Sequence, residues 1–259
     1  RVLFTATIPG AFDIKGIKLT RGEELILAGS NGNGAARVVK ISPEGDIVFD
    51  KIFAQGESGF THLELSSRDE ILLGGSISGG NGQLHLLRND GTVLYSVQLY
   101  GAVSSMAFSP RGDVFVASYN ERVGSGKLSK VTPTGHVLFE RPAAAKYDQL
   151  VIDVDGETTL VSTAEGRITK FKEDGTNTFD KLIDRSENPG YVVSSVAENG
   201  DIVLAGYGGR ITKFGHGLMI NDIVVQEPLN GFSMANFTVT LTGFQRQHGI
   251  PSPVSVQYK

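Results

Sequence analysis

The chain has 259 residues, 40% of them hydrophobic, and a formal net charge of −4. That suffices for one large domain with a packed core and part of a second. Charges of both signs alternate without a basic stripe, and no apolar run approaches the ~20 residues of a membrane span, so neither nucleic acid nor a membrane-spanning helix is expected. Cysteine and tryptophan are absent, which excludes disulfides, zinc–thiolate sites and thiol nucleophiles. The chain opens on Arg1-Val2-Leu3-Phe4, and it reads as a processed or excised piece of something longer.

From the N-terminus, Val2-Leu3-Phe4 followed by Gly10 has the spacing of Val93-Leu94-Tyr95 followed by Gly101. A repeat then begins. Its first turn signal is Thr20-Arg21-Gly22-Glu23-Glu24, and the apolar run Leu25-Ile26-Leu27-Ala28-Gly29-Ser30 follows. A second turn comes next, in Ile41-Ser42-Pro43-Glu44-Gly45-Asp46-Ile47-Val48-Phe49. The same succession returns around Arg68-Asp69 and Asp90-Gly91, around Gly112 and Gly135, and around Gly156 and Gly175. The glycines of the second turn, Gly45, Gly91, Gly135 and Gly175, are spaced by 46, 44 and 40 residues. A fifth unit runs from about Tyr191, with its first turn at Glu198-Asn199-Gly200-Asp201, and stops near Phe214-Gly215-His216-Gly217.

Each unit reads as four short strands, a to d, with tight a–b and c–d turns. A period near 45 residues with four strands per unit predicts an all-β, five-bladed β-propeller over 1–217. The fifth unit lacks an obvious d strand, so residues 1–10 are expected to supply it by pairing with 210–215, which would leave no open edge. The b–c loops vary, from Ala164-Glu165-Gly166 to the longest, Glu121-Arg122-Val123-Gly124-Ser125-Gly126. The face carrying the b–c and d–a loops is therefore the expected binding face.

The pattern Leu27-Ala28-Gly29-Ser30 … Val38-Val39-Lys40-Ile41 … Gly45 … Phe49 resembles the β-propeller repeats of large secreted bacterial proteins. Phe49, Tyr95, Phe139 and Phe179 stand where that family carries Trp. Met219-Ile220-Asn221-Asp222-Ile223-Val224-Val225-Gln226-Glu227, then Ala235-Asn236-Phe237-Thr238-Val239-Thr240-Leu241-Thr242 and Pro253-Val254-Ser255-Val256-Gln257-Tyr258, resemble the opening of a Calx-β domain. That is an immunoglobulin-like sandwich, so residues 218–259 would be its truncated start. The resemblance implies an extracellular, adhesin-like polypeptide in which further Calx-β modules follow. It implies a Ca²⁺ ligand at Glu227, incomplete here because the other acidic ligands lie in segments this sequence does not contain. Glu227-Pro228 replaces the family's Glu-Gly.

Other motifs are explained by turn chemistry. Arg111-Gly112-Asp113 falls on an a–b turn, and so does Asp153-Val154-Asp155-Gly156-Glu157, which lacks the downstream ligands of a calcium loop. The Gly-Asn stretches at 31–34 and 79–82 read as flexible loops. His62, His85, His136, His216 and His248 show no metal-ligand spacing. Asn236-Phe237-Thr238 is a glycosylation sequon inside an expected strand. The function expected is a non-catalytic module binding a protein or glycan partner, with no catalytic residue and no cofactor of its own. The alternative is a propeller glycosidase or lyase whose acids converge in the central channel, with Glu64 and Asp153 as the acids.

Overall fold

The computed structural model describes residues 4–53, 57–77, 79–153, 155–182, 191–196, 201–206, 211–215, 218–225 and 237–243. All its regular structure is β. The chain divides into two compact units, Arg1–Leu150 with Glu173–Thr176, and Val151–Lys172 with Asn177–Lys259.

Three four-stranded antiparallel sheets, in simple up-and-down order, build the first unit. Sheet 1 is β1 (Phe12–Leu19), β2 (Leu25–Asn31), β3 (Ala36–Ile41) and β4 (Ile47–Ile52). Sheet 2 is β5 (Glu57–Leu65), β6 (Ile71–Ile77), β7 (Gly82–Leu87) and β8 (Val93–Leu99). Sheet 3 is β9 (Ala102–Phe108), β10 (Val114–Asn120), β11 (Ser125–Val131) and β12 (Val137–Ala143). Sheet 4 repeats the order with β13 (Gln149–Ile152), β14 (Thr158–Ser162), β15 (Arg167–Phe171) and β16 (Asn177–Leu182). In the second unit, sheet 5 has five strands: β17 (Tyr191–Val196), β18 (Ile202–Gly206), β19 (Ile211–Gly215), β20 (Leu218–Val225) and β21 (Phe237–Gly243).

The residue pattern follows each strand's place. Middle strands are covered on both faces, so β2, β3, β6 and β10 are largely buried and mainly apolar, with Arg37 and Lys40 of β3 buried as ions. The outer strands β4 and β16 alternate between exposed and half-buried positions.

One turn geometry explains the recurring glycines. In Thr20–Glu24, Ser66–Glu70, Ser109–Asp113, Ser42–Asp46, Arg88–Thr92 and Thr132–His136, the first residue's N–H bonds the fifth residue's carbonyl, and the fourth residue's N–H bonds the first residue's carbonyl. The fourth residue takes a left-handed backbone, which glycine adopts without penalty. Gly45, Gly91, Gly112 and Gly135 sit there with φ between 85° and 99°. Sheets 1 and 2 place Glu23 (φ 62°) and Asp69 (φ 61°) in that conformation instead, so Gly22 is not the strained position of the first turn. The same two bonds close 31–35 and 77–81 in sheets 1 and 2. The expected flexible loops are thus tight hairpin turns, with Gly34 and Gly80 at the left-handed position.

Sheets 1 and 2 pack through Ile26, Ala28, Val38, Phe60, Leu63, Ile71 and Leu73. Sheets 2 and 3 pack through Leu72, Leu84, Leu86, Val103, Met106, Val114 and Val116. An aromatic from each outer strand is keyed onto the c–d glycine of the next sheet. A β-carbon at Gly91 would stand 3.1 Å from Phe49, one at Gly135 2.7 Å from Tyr95, and one at Gly175 2.9 Å from Phe139.

The N-terminal pairing differs from expectation. β19 pairs with β20, through Phe214↔Met219 and Gly215↔Leu218, and β20 pairs in turn with β21. The fourth strand of sheet 5 is therefore β20. Residues 4–8 form no strand; Phe4, Ala6 and Ile8 pack on Leu27, Val39 and Ile41 of sheet 1. The reason is a short connection: only 216–217 separates β19 from β20, whereas five residues join c to d in the other sheets.

Candidate functional site

The a–b and c–d ends of the sheets carry buried ion pairs. Lys40, almost wholly buried, reaches Glu24 at 2.7 Å and the side chain and carbonyl of Asn89 at 2.8 and 3.0 Å. The ammonium's hydrogen bond, opposed by desolvation, holds the Glu24 carboxyl below its usual range. Lys130 repeats the arrangement with Asp113 at 3.1 Å and Glu173 at 3.2 Å. Lys213 and Asp201 do so at 2.7 Å in the second unit. Arg111-Gly112-Asp113 is absorbed into this framework. Gly112 closes the turn, Asp113 is paired with Lys130, and Arg111 bonds Glu173 at 3.0 Å. The Asp153 carboxylate likewise accepts the amides of Asp155 and Glu157 at 3.0 and 2.9 Å, in an Asx turn.

Inner-strand groups are also engaged. Glu64 on β5 is paired with Lys18 on β1 at 2.8 Å. His62 holds its Nδ1 2.8 Å from the Thr61 hydroxyl and also bonds the Ser104 backbone on β9, and burial keeps its pKa below the ordinary value. His85 packs between Phe53 and Phe60, with Nδ1 2.7 Å from Ser96 Oγ. Desolvation and the nearby Lys51 lower its pKa to about 4. The sequence placed Glu64 and Asp153 as convergent acids; each is held by its own neighbours. Among the described residues no three His, Cys, Asp or Glu side chains come together as a metal site. Glu227, His216, His248 and Asn236 lie outside the described residues.

The opposite ends of the sheets carry the variation, but not where loop composition suggested. Every b–c connection spans four positions: 32–35, 78–81, 121–124, 163–166 and 207–210. The d–a connections differ in length: 53–56, 100–101, 144–148 and 183–190. The five-residue hairpin turn also fails once in the first unit, at 121–124. There Gly124 N–H bonds the Asn120 carbonyl at 2.8 Å, and Asn120 Oδ1 accepts the amides of Arg122 and Val123. This hairpin stands beside the connection 144–148, joined to it by Lys146 and Glu121 at 2.6 Å. Ala145 and Tyr147 are buried and anchor that connection.

The result is a presented patch on a rigid base. Val123 is 67% exposed. The Arg122 stem lies 3.9 Å from the β-carbon position of Gly80 in sheet 2. Below, Lys127 is bonded to Glu140 at 2.5 Å and sits 4.4 Å over the Tyr100 ring, whose hydroxyl bonds Ser125 at 2.7 Å. Guanidinium, ammonium, carboxylate and apolar groups are thus fixed within one hairpin and its neighbour. That mixture suits recognition of hydroxyl- or carbonyl-rich surfaces. Lys146 and Tyr147 gave no signal in the sequence, being single residues in a connection without a motif.

No protein family and no curated protein matches the chain. Solved structures do. A catalytically inactive histidine-to-alanine variant of virginiamycin B lyase from Staphylococcus aureus, with quinupristin, is 14% identical and superposes with a TM-score of 0.61 over 97% of this chain and 86% of that one. A putative 6-phosphogluconolactonase from Bacteroides uniformis gives 0.52 at 14% identity, over 93% and 84%. The WD40 domain of Pan2 from Neurospora crassa gives 0.55 at 11% identity, over 94% and 66%. The fold is a β-propeller. At such identities the likeness establishes architecture and no activity.

Proposed function

We propose that this propeller is a non-catalytic binding module, engaging a protein or glycan partner through the patch at 121–124 and 144–148. The observation that carries the reading is a coincidence of two departures from the repeat. The one irregular b–c hairpin described in the first unit lies against its longest described d–a connection, and both are pinned by buried or ion-paired residues. At the other ends the turns are uniform, and Glu24, Asp113 and Glu173 are engaged by buried lysines of the same framework. In stacked repeats, departures from the repeat on one face mark the binding surface.

The wider setting we infer is an extracellular bacterial polypeptide. In that setting the strands β20 and β21, which extend sheet 5, begin a Calx-β segment, and Glu227 serves as a Ca²⁺ ligand only when the rest of that domain is present. Glycan-array and protein-panel binding by the wild-type chain and by Arg122→Ala/Lys146→Ala tests the module. The double variant loses binding while Glu44→Ala, at an opposite turn, retains it. Equal binding by all three proteins refutes the patch.

A second reading, a lyase or glycosidase, is favoured by the likeness to virginiamycin B lyase. Consumption of quinupristin or of a polysaccharide, abolished by Glu64→Gln or His62→Ala, would replace the first reading.

A further inference from the structure

The face of sheet 1 that looks away from sheet 2 is half covered. Gly16 and Lys18 on β1 point toward sheet 2, where a β-carbon at Gly16 would meet Leu63 at 2.9 Å and Lys18 pairs with Glu64. Strand alternation therefore turns Ile17 and Leu19 to the opposite face. Their partners across the ladder are Leu27 and Leu25. Over the outer part of this face lie Phe4, Ala6 and Ile8, on Leu27, Val39 and Ile41. Phe4 stands 3.0 Å from the β-carbon position of Gly45, the relation that Phe49, Tyr95 and Phe139 bear to the glycines of the sheets that follow them. Arg37 fastens the segment, donating to the carbonyls of Pro9 at 2.8 Å and Ala11 at 3.3 Å while held by Asp50.

The inner part of the same face is bare. Ile17 is 61% exposed and Leu19 60%. The positions matching Ile17 on the next two blades, Leu63 and Met106, are each 4% exposed, because a preceding blade lies on them: Leu63 on Gly16, Met106 on Gly74. Those matching Leu19, Leu65 and Phe108, are half-buried.

We propose that residues 4–8 are the outer strand of a further blade, and that its inner strands, supplied by polypeptide N-terminal to Arg1, cover Ile17 and Leu19. Topology fixes the source. Every outer strand among sheets 1 to 4 follows its own c strand across a five-residue turn, and Val2-Leu3-Phe4 matches Val93-Leu94-Tyr95, so the c strand belongs immediately upstream. Sheet 5 does not need this segment, because β20 already flanks β19. The surface to be filled continues an interface that the molecule builds between each consecutive pair of blades in the first unit. This inference is independent of the binding patch.

The chain has no cysteine, so Leu19→Cys introduces a single thiol. Its reaction with a maleimide is followed in the 259-residue chain and in the same chain extended upstream along its own gene by two repeat lengths. Reaction is fast in the shorter protein and slowed by ~50-fold or more in the longer one, as a buried site requires. Hydrogen exchange at residues 4–8 in the unsubstituted proteins slows in parallel, which guards against a variant that fails to fold. Equal fast rates overturn the proposal. So does protection in the dilute shorter chain, which would make another part of the same chain the cover. Protection that grows with protein concentration would assign the face to a second copy and overturn it as well.

Discussion

The junction between sheets 1 and 2 and the junction between sheets 2 and 3 have the same backbone plan and different chemistry. The first embeds the Lys40–Glu24–Asn89 cluster and His85 among its apolar side chains and carries the exposed Lys18–Glu64 pair. In the second, Leu86 occupies the place that Lys40 holds, and the interface is a continuous apolar cluster. Without a lysine, Glu70 takes the Ser66 hydroxyl at 3.0 Å, and the Tyr95 hydroxyl is left buried with no hydrogen-bond partner. Burial, with the charges of Glu70 and Asp113, raises the Tyr95 pKa. The repeat therefore tolerates an ion or a hydrocarbon at one site, since both fill it. What changes is the source of stability: buried charge needs its partner to remain charged, whereas apolar packing needs only complementary volume.

The largest expected effect probes the apolar junction. Leu84 is fully buried at its centre, and Leu84→Ala is expected to destabilise the protein by about 3 kcal/mol through lost burial and a residual cavity. A denaturant midpoint shift with unchanged slope would register it, and a loss below about 1 kcal/mol would mean that this junction repacks freely.

Acid should separate the junctions next. His85 is neutral when folded, with a pKa of about 4 against 6.5, so its contribution is intact above pH 6.5. As pH falls, the unfolded chain takes up a proton that the folded chain refuses. Stability then declines between about 6.5 and 4, by on the order of 3 kcal/mol in all. His62, displaced in the same direction, adds to the slope. Stability measured against pH in wild type and His85→Leu tests this, and an unchanged slope in the variant would remove His85 as the cause.

The smallest effect has the opposite sign. Tyr95→Phe deletes the unpartnered hydroxyl and is expected to raise stability by about 1 kcal/mol. A loss of stability in thermal melts would reveal a hydrogen bond to that hydroxyl in solution.

Much of the fold was legible because turns punctuate it. The glycines that recur every 40 to 46 residues mark the left-handed residue of one hairpin turn, and outer-strand aromatics recur because each packs on such a glycine. Where Glu23 takes that conformation, composition pointed to the neighbouring Gly22 instead. The fourth strand of sheet 5 was missed for a related reason: a two-residue connection breaks the spacing by which the other d strands were found. The binding patch was half visible. Glu121–Gly126 stood out as an unusual hairpin, but its partner connection depends on Lys146 meeting a residue 25 positions away, and no local pattern encodes that contact. The equal length of the b–c connections was hidden because turn-rich composition was mistaken for length.

Arg37 also decides how the first unit takes load. It sits on β3, is held by Asp50 on β4, and grips the backbone at Pro9 and Ala11. Tension entering through the N-terminal segment is thus handed to the outer pair of strands before it can peel β1 from β2 one ladder bond at a time. The guanidinium behaves as a rivet, converting an unzipping geometry into a shearing one. In single-molecule pulling from the N-terminus, Arg37→Ala should lower the first rupture force while leaving later events unchanged.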